Sequence, residues 1–328
     1  LRRVKPPLSP ELPRVQTPIR IGTRGSPLAL AQTRLVIAAL ARAHGWTQDE
    51  AAARTHVVTV KTSGDRIQDR PLADLGGKGL FAKELEEALL RNEIDCAVHS
   101  LKDMPTALPE GLILECILPR EDPRDALVCS IASSIAALPT GARFATGSVR
   151  RQAQVLNLRP DLTILPLRGN VDTRLAKVAG GEVDATLLAM AGLRRLGKPA
   201  SVGHVLETDV FLPAVAQGAI GVETRAANAA LREMLDRIND HEARLAVSLE
   251  REFLSILDGS CKTPIAGYAR RSADGNILFE GSALSPDGRT RFDVRRNHSV
   301  RDLDEARALG RSAGEELLAK AGRSFFQV

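Results

Sequence analysis

Aromatic side chains are scarce. They make up 3% of the 328 residues, with a single tryptophan and a single tyrosine. Proteins that grip single-stranded nucleic acid stack its bases on aromatic platforms, so this scarcity counts against that class. Cysteine is also rare. Of the four, Cys96, Cys116 and Cys129 fall in apolar, strand-like runs and read as buried small hydrophobes, whereas Cys261 stands in a polar turn. No Cys-x-x-Cys pair or Cys/His cluster has zinc spacing, so no metal is expected and a reducing compartment fits. No apolar run reaches the length that spans a bilayer. The opening residues Leu1-Arg2-Arg3-Val4-Lys5-Pro6-Pro7 lack the apolar centre of a secretory signal. Residues 1–17 read as a disordered lead-in and the cytoplasm as the compartment, with an organelle stroma or matrix open if the start is a trimmed one. Lys78 is followed by glycine, so the glycine-bearing loop around it is not a Walker A loop. There is no internal repeat.

What is present is apolar substance and arginine. A hydrophobic content of 44% supplies two or three domains with cores. The net charge is +5, and arginine greatly outnumbers lysine. Guanidinium groups suit bidentate capture of carboxylate or phosphate, so the balance points to an anionic ligand, with solvated helix faces as the plainer alternative.

The order of the chain sharpens this. A strand over 18–23 runs into Arg24-Gly25-Ser26-Pro27, where Ser26 is an N-cap and Pro27 a first helical residue. Such a turn favours anions. A strand over 95–99 ends in Ser100-Leu101-Lys102-Asp103, the make-up of an active-site rim. Residues 119–125, charged and punctuated by proline, suit a hinge. Between 126 and 210 strands and helices alternate. Three strands end where arginines gather: Arg150 and Arg151, then Arg168 and Arg174, then Arg194 and Arg195. Strand ends of an open parallel sheet share one crevice, so the spacing predicts a crevice lined by guanidinium groups. Residues 212–223 read as a loop and a buried strand returning to the first domain. Two helices (226–240 and 241–257), three strands and a closing helix over 303–321 follow, and Ser285-Pro286-Asp287-Gly288 marks a hairpin.

Seven motifs then agree with one family. They are Thr23-Arg24-Gly25-Ser26-Pro27-Leu28-Ala29-Leu30, Gly76-Gly77-Lys78-Gly79-Leu80-Phe81, His99-Ser100-Leu101-Lys102-Asp103, Arg120-Glu121-Asp122-Pro123-Arg124-Asp125, Val149-Arg150-Arg151-Gln152, Leu167-Arg168-Gly169-Asn170-Val171 and Leu212-Pro213-Ala214-Val215-Ala216-Gln217-Gly218. In this order, over nearly the whole chain, the sequence resembles porphobilinogen deaminase (hydroxymethylbilane synthase). The resemblance implies an α/β fold with two periplasmic-binding-protein-like domains joined by hinge segments, plus a smaller α+β C-terminal domain with an antiparallel sheet. The corresponding divisions are 18–119 with 218–240, 120–217, and 241–328.

The resemblance also implies a transferase that condenses four porphobilinogen molecules, losing ammonia each time, onto a dipyrromethane cofactor, and releases hydroxymethylbilane with water. Cys261 matches the cofactor cysteine and Asp103 the carboxylate at the reacting pyrrole nitrogens. Lys102, Ser148, Arg150, Arg151, Arg168, Gly169 and Arg174 match cofactor contacts. Arg24, Ser26, Lys78, Arg120, Arg195 and Gln217 match substrate contacts. A monomer without nucleic-acid or membrane partners is expected. The sequence departs from the family's pattern at Gly147, where a serine is common, and at Lys262 and Asp74. A non-catalytic anion binder on the same hinged fold is the competing reading. Cys261 and Asp103 argue against it, since a pure binder has no use for an attachable thiol and a crevice carboxylate together.

Overall fold

A computed structural model of the chain describes residues 18–66, 79–198, 203–257 and 263–326. The chain opens with β1 (Ile19–Arg24), α1 (Pro27–His44), α2 (Gln48–Arg54), β2 (Thr55–Val60), the short turn α3 (Ser63–Arg66), α4 (Lys83–Leu90), β3 (Cys96–Ser100) and β4 (Leu112–Ile117). It then crosses to β5 (Asp125–Cys129), β6 (Arg143–Ala145), α5 (Val149–Leu158), β7 (Thr163–Leu165), α6 (Val171–Ala179), β8 (Ala185–Ala189), α7 (Met190–Arg195) and β9 (His204–Val205). A second crossing leads to β10 (Ile220–Arg225) and α8 (Ala229–Asp236). Last come α9 (His241–Ile256), β11 (Ile265–Arg271), β12 (Ile277–Leu284), β13 (Arg291–His298) and α10 (Leu303–Ala321).

Two five-stranded sheets have one shared design, β2-β1-β3-β10-β4 and β7-β6-β8-β5-β9. In each, the order is second, first, third, the strand delivered by a crossing, fourth. The delivered strands β10 and β5 are antiparallel to both neighbours. The sheets are therefore mixed, not wholly parallel as the alternating pattern suggests. The strands whose ends carry the arginines, β6, β7 and β8, are nonetheless mutually parallel, so their ends do share an edge. Apolar clusters cover both faces of each sheet, which makes two lobes. A third core lies between the antiparallel sheet β11-β12-β13 and the helices α9 and α10. Among the described residues no helix is long and apolar enough to cross a membrane.

Local chemistry explains most element ends. Ser26 caps α1, whose last turn closes on Gly45 in the left-handed region at φ 66°. Thr47 and Glu50 form a reciprocal capping box that starts α2, a helix the sequence reading passed over. The helix α4 begins only at Lys83, after Phe81, whose ring lies beneath the Arg24 guanidinium. Cys129, expected to be buried, lies at a strand end and is only partly covered, whereas Cys96 and Cys116 are buried. Burial pushes the Cys116 thiol up to about 12, which suits a packing role.

The third lobe grips both others. Glu250 of α9 is fully buried. It accepts hydrogen bonds from Arg120 at 2.5 and 3.1 Å, from Ala216 N at 2.6 Å and from Ala269 N at 2.7 Å, so it ties both crossings to β11. The β12–β13 hairpin docks on α5. There Asn157 Nδ2 donates to Gly288 O at 2.7 Å, and a Cβ on Gly288 would stand 2.5 Å from Ala153 O. We expect Gly288→Val to lift the hairpin from α5 and cost about 1–3 kcal/mol, read as a lower denaturation midpoint with an unchanged slope.

Candidate functional site

Parallel strands bring charged ends together. β1 and β3 are neighbours, so Arg24 and the 3-10 turn Leu101–Asp103 after β3 share an edge of the first sheet. Ser26 Oγ accepts from Ala29 N at 3.3 Å. Arg24, Ser26, Gln32, His99, Ser100 and Asp103 line a pocket of about 50 Å³, with Phe81 and Met104 as its apolar wall. The Arg24 guanidinium lies 3.9 Å from the centre of the Phe81 ring and donates to Asp65 from Nε at 3.2 Å. Arg24 is thus held by a carboxylate that the sequence reading assigned no part. Gln32 and Ser100 bond each other at 2.7 Å and brace the pocket floor.

The second lobe presents its own edge. Ser148 caps α5. Arg150 and Arg151 in the first turn are buried and converge on Asp125, itself fully buried at the start of β5. Arg150 Nη2 donates to Asp125 Oδ2 at 2.6 Å and Arg151 Nη2 to Asp125 Oδ1 at 2.7 Å. Their other donors reach Leu212 O and Leu187 O, and Arg150 Nε is left without a partner among the described residues. Burial alone would raise the Asp125 carboxyl, but the two guanidinium charges and their hydrogen bonds outweigh it and hold the group well below the usual carboxylate range. Two cations share one anion here, so a positive excess remains beside the crevice.

Arg168 follows β7. Gly169 adopts φ 106°, with Thr173 too close for a Cβ, which lets Arg174 Nε turn back to Gly169 O at 3.0 Å. Arg195 Nη2 donates to Gly218 O at 2.6 Å, so the third arginine group of the sequence reading holds the return crossing. Arg120 is likewise engaged with Glu250 and Gln217 O. Gln217 joins the lobes. It donates to Asp125 Oδ1 at 3.0 Å and to Pro123 O at 2.7 Å, and it accepts from Lys102 Nζ at 3.3 Å.

Lys102 and Asp103 are open to solvent at their surface, and Lys102 Nζ packs inward to reach Gln217 Oε1 of the return crossing. Its ammonium is pushed down to about 8 by burial first, opposed by Asp103 and Asp125 and reinforced by Arg151 and Arg150. Arg174 is pushed down to about 10 by burial, with Arg151 and Arg168 adding and Asp103 opposing. The Arg195 guanidinium is brought to about 10 in the same way, with Glu121 opposing. Asp103 on one lobe and Arg174 on the other therefore feel each other across the crevice. Lys78, Cys261 and Lys262 lie outside the described residues. Gly147 has an explanation: a Cβ there would stand 2.8 Å from Leu167 O.

Sequence reading passed over Asp125, Asp65 and Glu223, the anions that set the arginines and the histidine in place. For Glu223 there is a signal, because a single carboxylate sits inside the apolar strand Ile220-Gly221-Val222-Glu223.

Two lobes of like topology, joined by two crossings, carry clustered cations at their strand ends. The family profile described as "Porphobilinogen deaminase, dipyromethane cofactor binding domain" matches residues 19–233, and that described as "Porphobilinogen deaminase, C-terminal domain" matches 244–319. A porphobilinogen deaminase, chloroplastic, of Oryza sativa subsp. japonica is 53% identical over 94% of this chain and 85% of its own. One from Nitrobacter winogradskyi is 53% identical over 94% and 95%. A solved periplasmic substrate-binding protein of an ABC transporter from Coxiella burnetii is 13% identical with a TM-score of 0.40, covering 71% of this chain and 96% of its own. The chain belongs to the porphobilinogen deaminase family, and its first two lobes form the dipyrromethane cofactor-binding domain. The donor set suits that cofactor: Arg174 and the Arg150–Arg151 pair on a single Asp125 leave an excess of cations, and carboxylates of a bound ligand would supply counter-charge.

Proposed function

We propose that the chain condenses four porphobilinogen molecules onto a dipyrromethane primer thioether-linked to Cys261, and that water then releases hydroxymethylbilane. When bound, the primer would supply the pyrrole ring that accepts the first unit, and each later unit would add to the ring before it. Lys102, Ser148, Arg150, Arg151, Arg168, Gly169 and Arg174 hold its carboxylates. Arg24, Ser26, Lys78, Arg120, Arg195 and Gln217 receive the incoming substrate or shape its place. Porphobilinogen carries two carboxylates, so each ring adds two negative charges that guanidinium groups neutralise in pairs. Asp103 stabilises the cationic carbon and ring N–H groups that appear as ammonia leaves. The single observation that carries this reading is Asp103 lining one pocket with Arg24 and Ser26, with Arg174 of the second lobe near enough to feel its charge. In this reading the domains are 18–119 with 218–240, 120–217 and 241–328. The protein is a monomer of the cytoplasm or of an organelle stroma or matrix, without nucleic-acid partners.

Intact mass tests the covalent step. The purified protein is expected to exceed its sequence mass by one dipyrromethane, and Cys261→Ser to lack the increment and be inactive. A wild type that is active at its bare sequence mass removes the primer from the mechanism.

A further inference from the structure

His99 has a neighbourhood that the roles above leave unused. It is buried on β3, four residues before Asp103, and lines the same pocket as Asp103, Arg24 and Ser26. Its Nε2 lies 3.0 Å from Glu223 Oε2 on the adjacent strand β10, and Glu223 is fully buried. The register places Gly221, which has no side chain, opposite His99, so Glu223 reaches along the strand to the ring. A buried carboxylate that binds one imidazole nitrogen fixes the tautomer and orientation of the ring and raises the basicity of the other nitrogen. With Nε2 committed to Glu223, Nδ1 is the ring nitrogen left to take a proton.

We propose that His99, held by Glu223, is a second catalytic residue, which accepts the proton released from the pyrrole α-carbon when each new carbon–carbon bond forms. This rests on the reading of the pocket as the place of condensation. The C–N bond of the aminomethyl group breaks and its electron pair leaves on ammonia. A C–C bond then joins the methylene carbon to the free α-carbon of the acceptor pyrrole. The α C–H bond returns its electrons to the ring, and Nδ1 takes the proton. His99 passes that proton to ammonia, which departs as ammonium. One aminomethyl ammonium and one pyrrole C–H thus become one methylene bridge and one ammonium ion, and His99 ends neutral.

Other charged groups face the His99–Glu223 pair from the elements packed against it. Glu86 of α4 also faces Glu223, and its carboxyl is pushed up to about 7, by burial first and then by Glu223 and Glu87. Glu86 is therefore only partly ionised near neutrality. Arg251 of α9, which donates to Pro105 O at 2.6 Å, places a positive charge toward Glu223 from the third lobe. Glu223 Oε1 and Glu86 Oε1 are buried without hydrogen-bond partners among the described residues, which leaves Oε2 of Glu223 as its engaged oxygen. Asp103 and Arg24 complete the charged groups at the pocket.

Nitrogen-15 NMR of the imidazoles in the loaded enzyme tests the tautomer without substitution. Nδ1 of His99 is expected to be unprotonated near neutral pH, with the Nε2–H signal displaced in Glu223→Gln. A protonated Nδ1 overturns the proposal. Turnover tests the step itself. His99→Gln is expected to keep the dipyrromethane mass while turnover falls on the order of 100-fold. The deuterium isotope effect with α-deuterated porphobilinogen should exceed that of wild type, because proton removal now limits the rate. Turnover within a few-fold of wild type, or a fall with an unchanged isotope effect, reduces His99 to packing. Activity retained in Asp103→Ala would instead sink the reading of the pocket on which this rests.

Discussion

Asp103→Ala is expected to yield a folded protein that keeps its primer and turns over about 10²–10⁴-fold more slowly. Asp103 is open to solvent at the end of a 3-10 turn whose buried residue is Leu101, so its removal empties no core. Surface changes of this kind alter stability by no more than about 0.5 kcal/mol. What is lost is negative charge at the crevice floor, where a cationic carbon must form. The remaining charges there, Lys102 and Arg174, then work against the reaction, since Asp103 is the anion that offsets both. Product formation measured alongside thermal unfolding and intact mass separates the effects. A normal rate with a normal melting curve would place the chemistry elsewhere.

Asp125→Ala is expected to be the most damaging change to stability, about 3–5 kcal/mol, because it strands two buried guanidinium groups. Asp125 receives Arg150, both Nε and Nη2 of Arg151, and Gln217, and every one of these partners belongs to the crevice wall or the crossing. Urea denaturation gives the magnitude. The pH dependence gives the cause. The Asp125 carboxyl is held below its unfolded value, so its contribution is complete above the ordinary aspartate range, near pH 4, and drains away as pH falls toward its folded value. Wild type should therefore lose stability in acid more steeply than Asp125→Ala. Parallel acid limbs would mean that Asp125 is not the titrating group.

Most of the fold was legible because its signals are local. The cap at Ser26, the hairpin at Pro286-Asp287-Gly288 and the closing helix Leu303–Ala321 are each written within a few residues. The arginine clusters at strand ends were legible as well, through spacing alone. What they bind in the folded protein was not. Arg24 meets Asp65, Arg120 meets Glu250 and Arg195 meets a carbonyl of the crossing. Those partners are long-range, and an exposed and a paired arginine look alike in a sequence. The direction of β5 and β10 was hidden for a related reason. Alternating strands and helices suggest a parallel sheet, and only the crossing reverses one strand in each lobe.

That reversal has a consequence for how the protein is made. Ile220 pairs with Ser100, so the first sheet cannot be completed until β10 has left the ribosome, although its strands β1 to β4 all precede the second sheet in the chain. The second sheet, from Asp125 to Val205, is contiguous and closes earlier. During synthesis the nascent first lobe therefore carries β3 and β4 with open edges, a state prone to pairing with other chains. Of the two lobes built on five-stranded sheets, the one begun first finishes second, and its open edges stay unpaired through that interval.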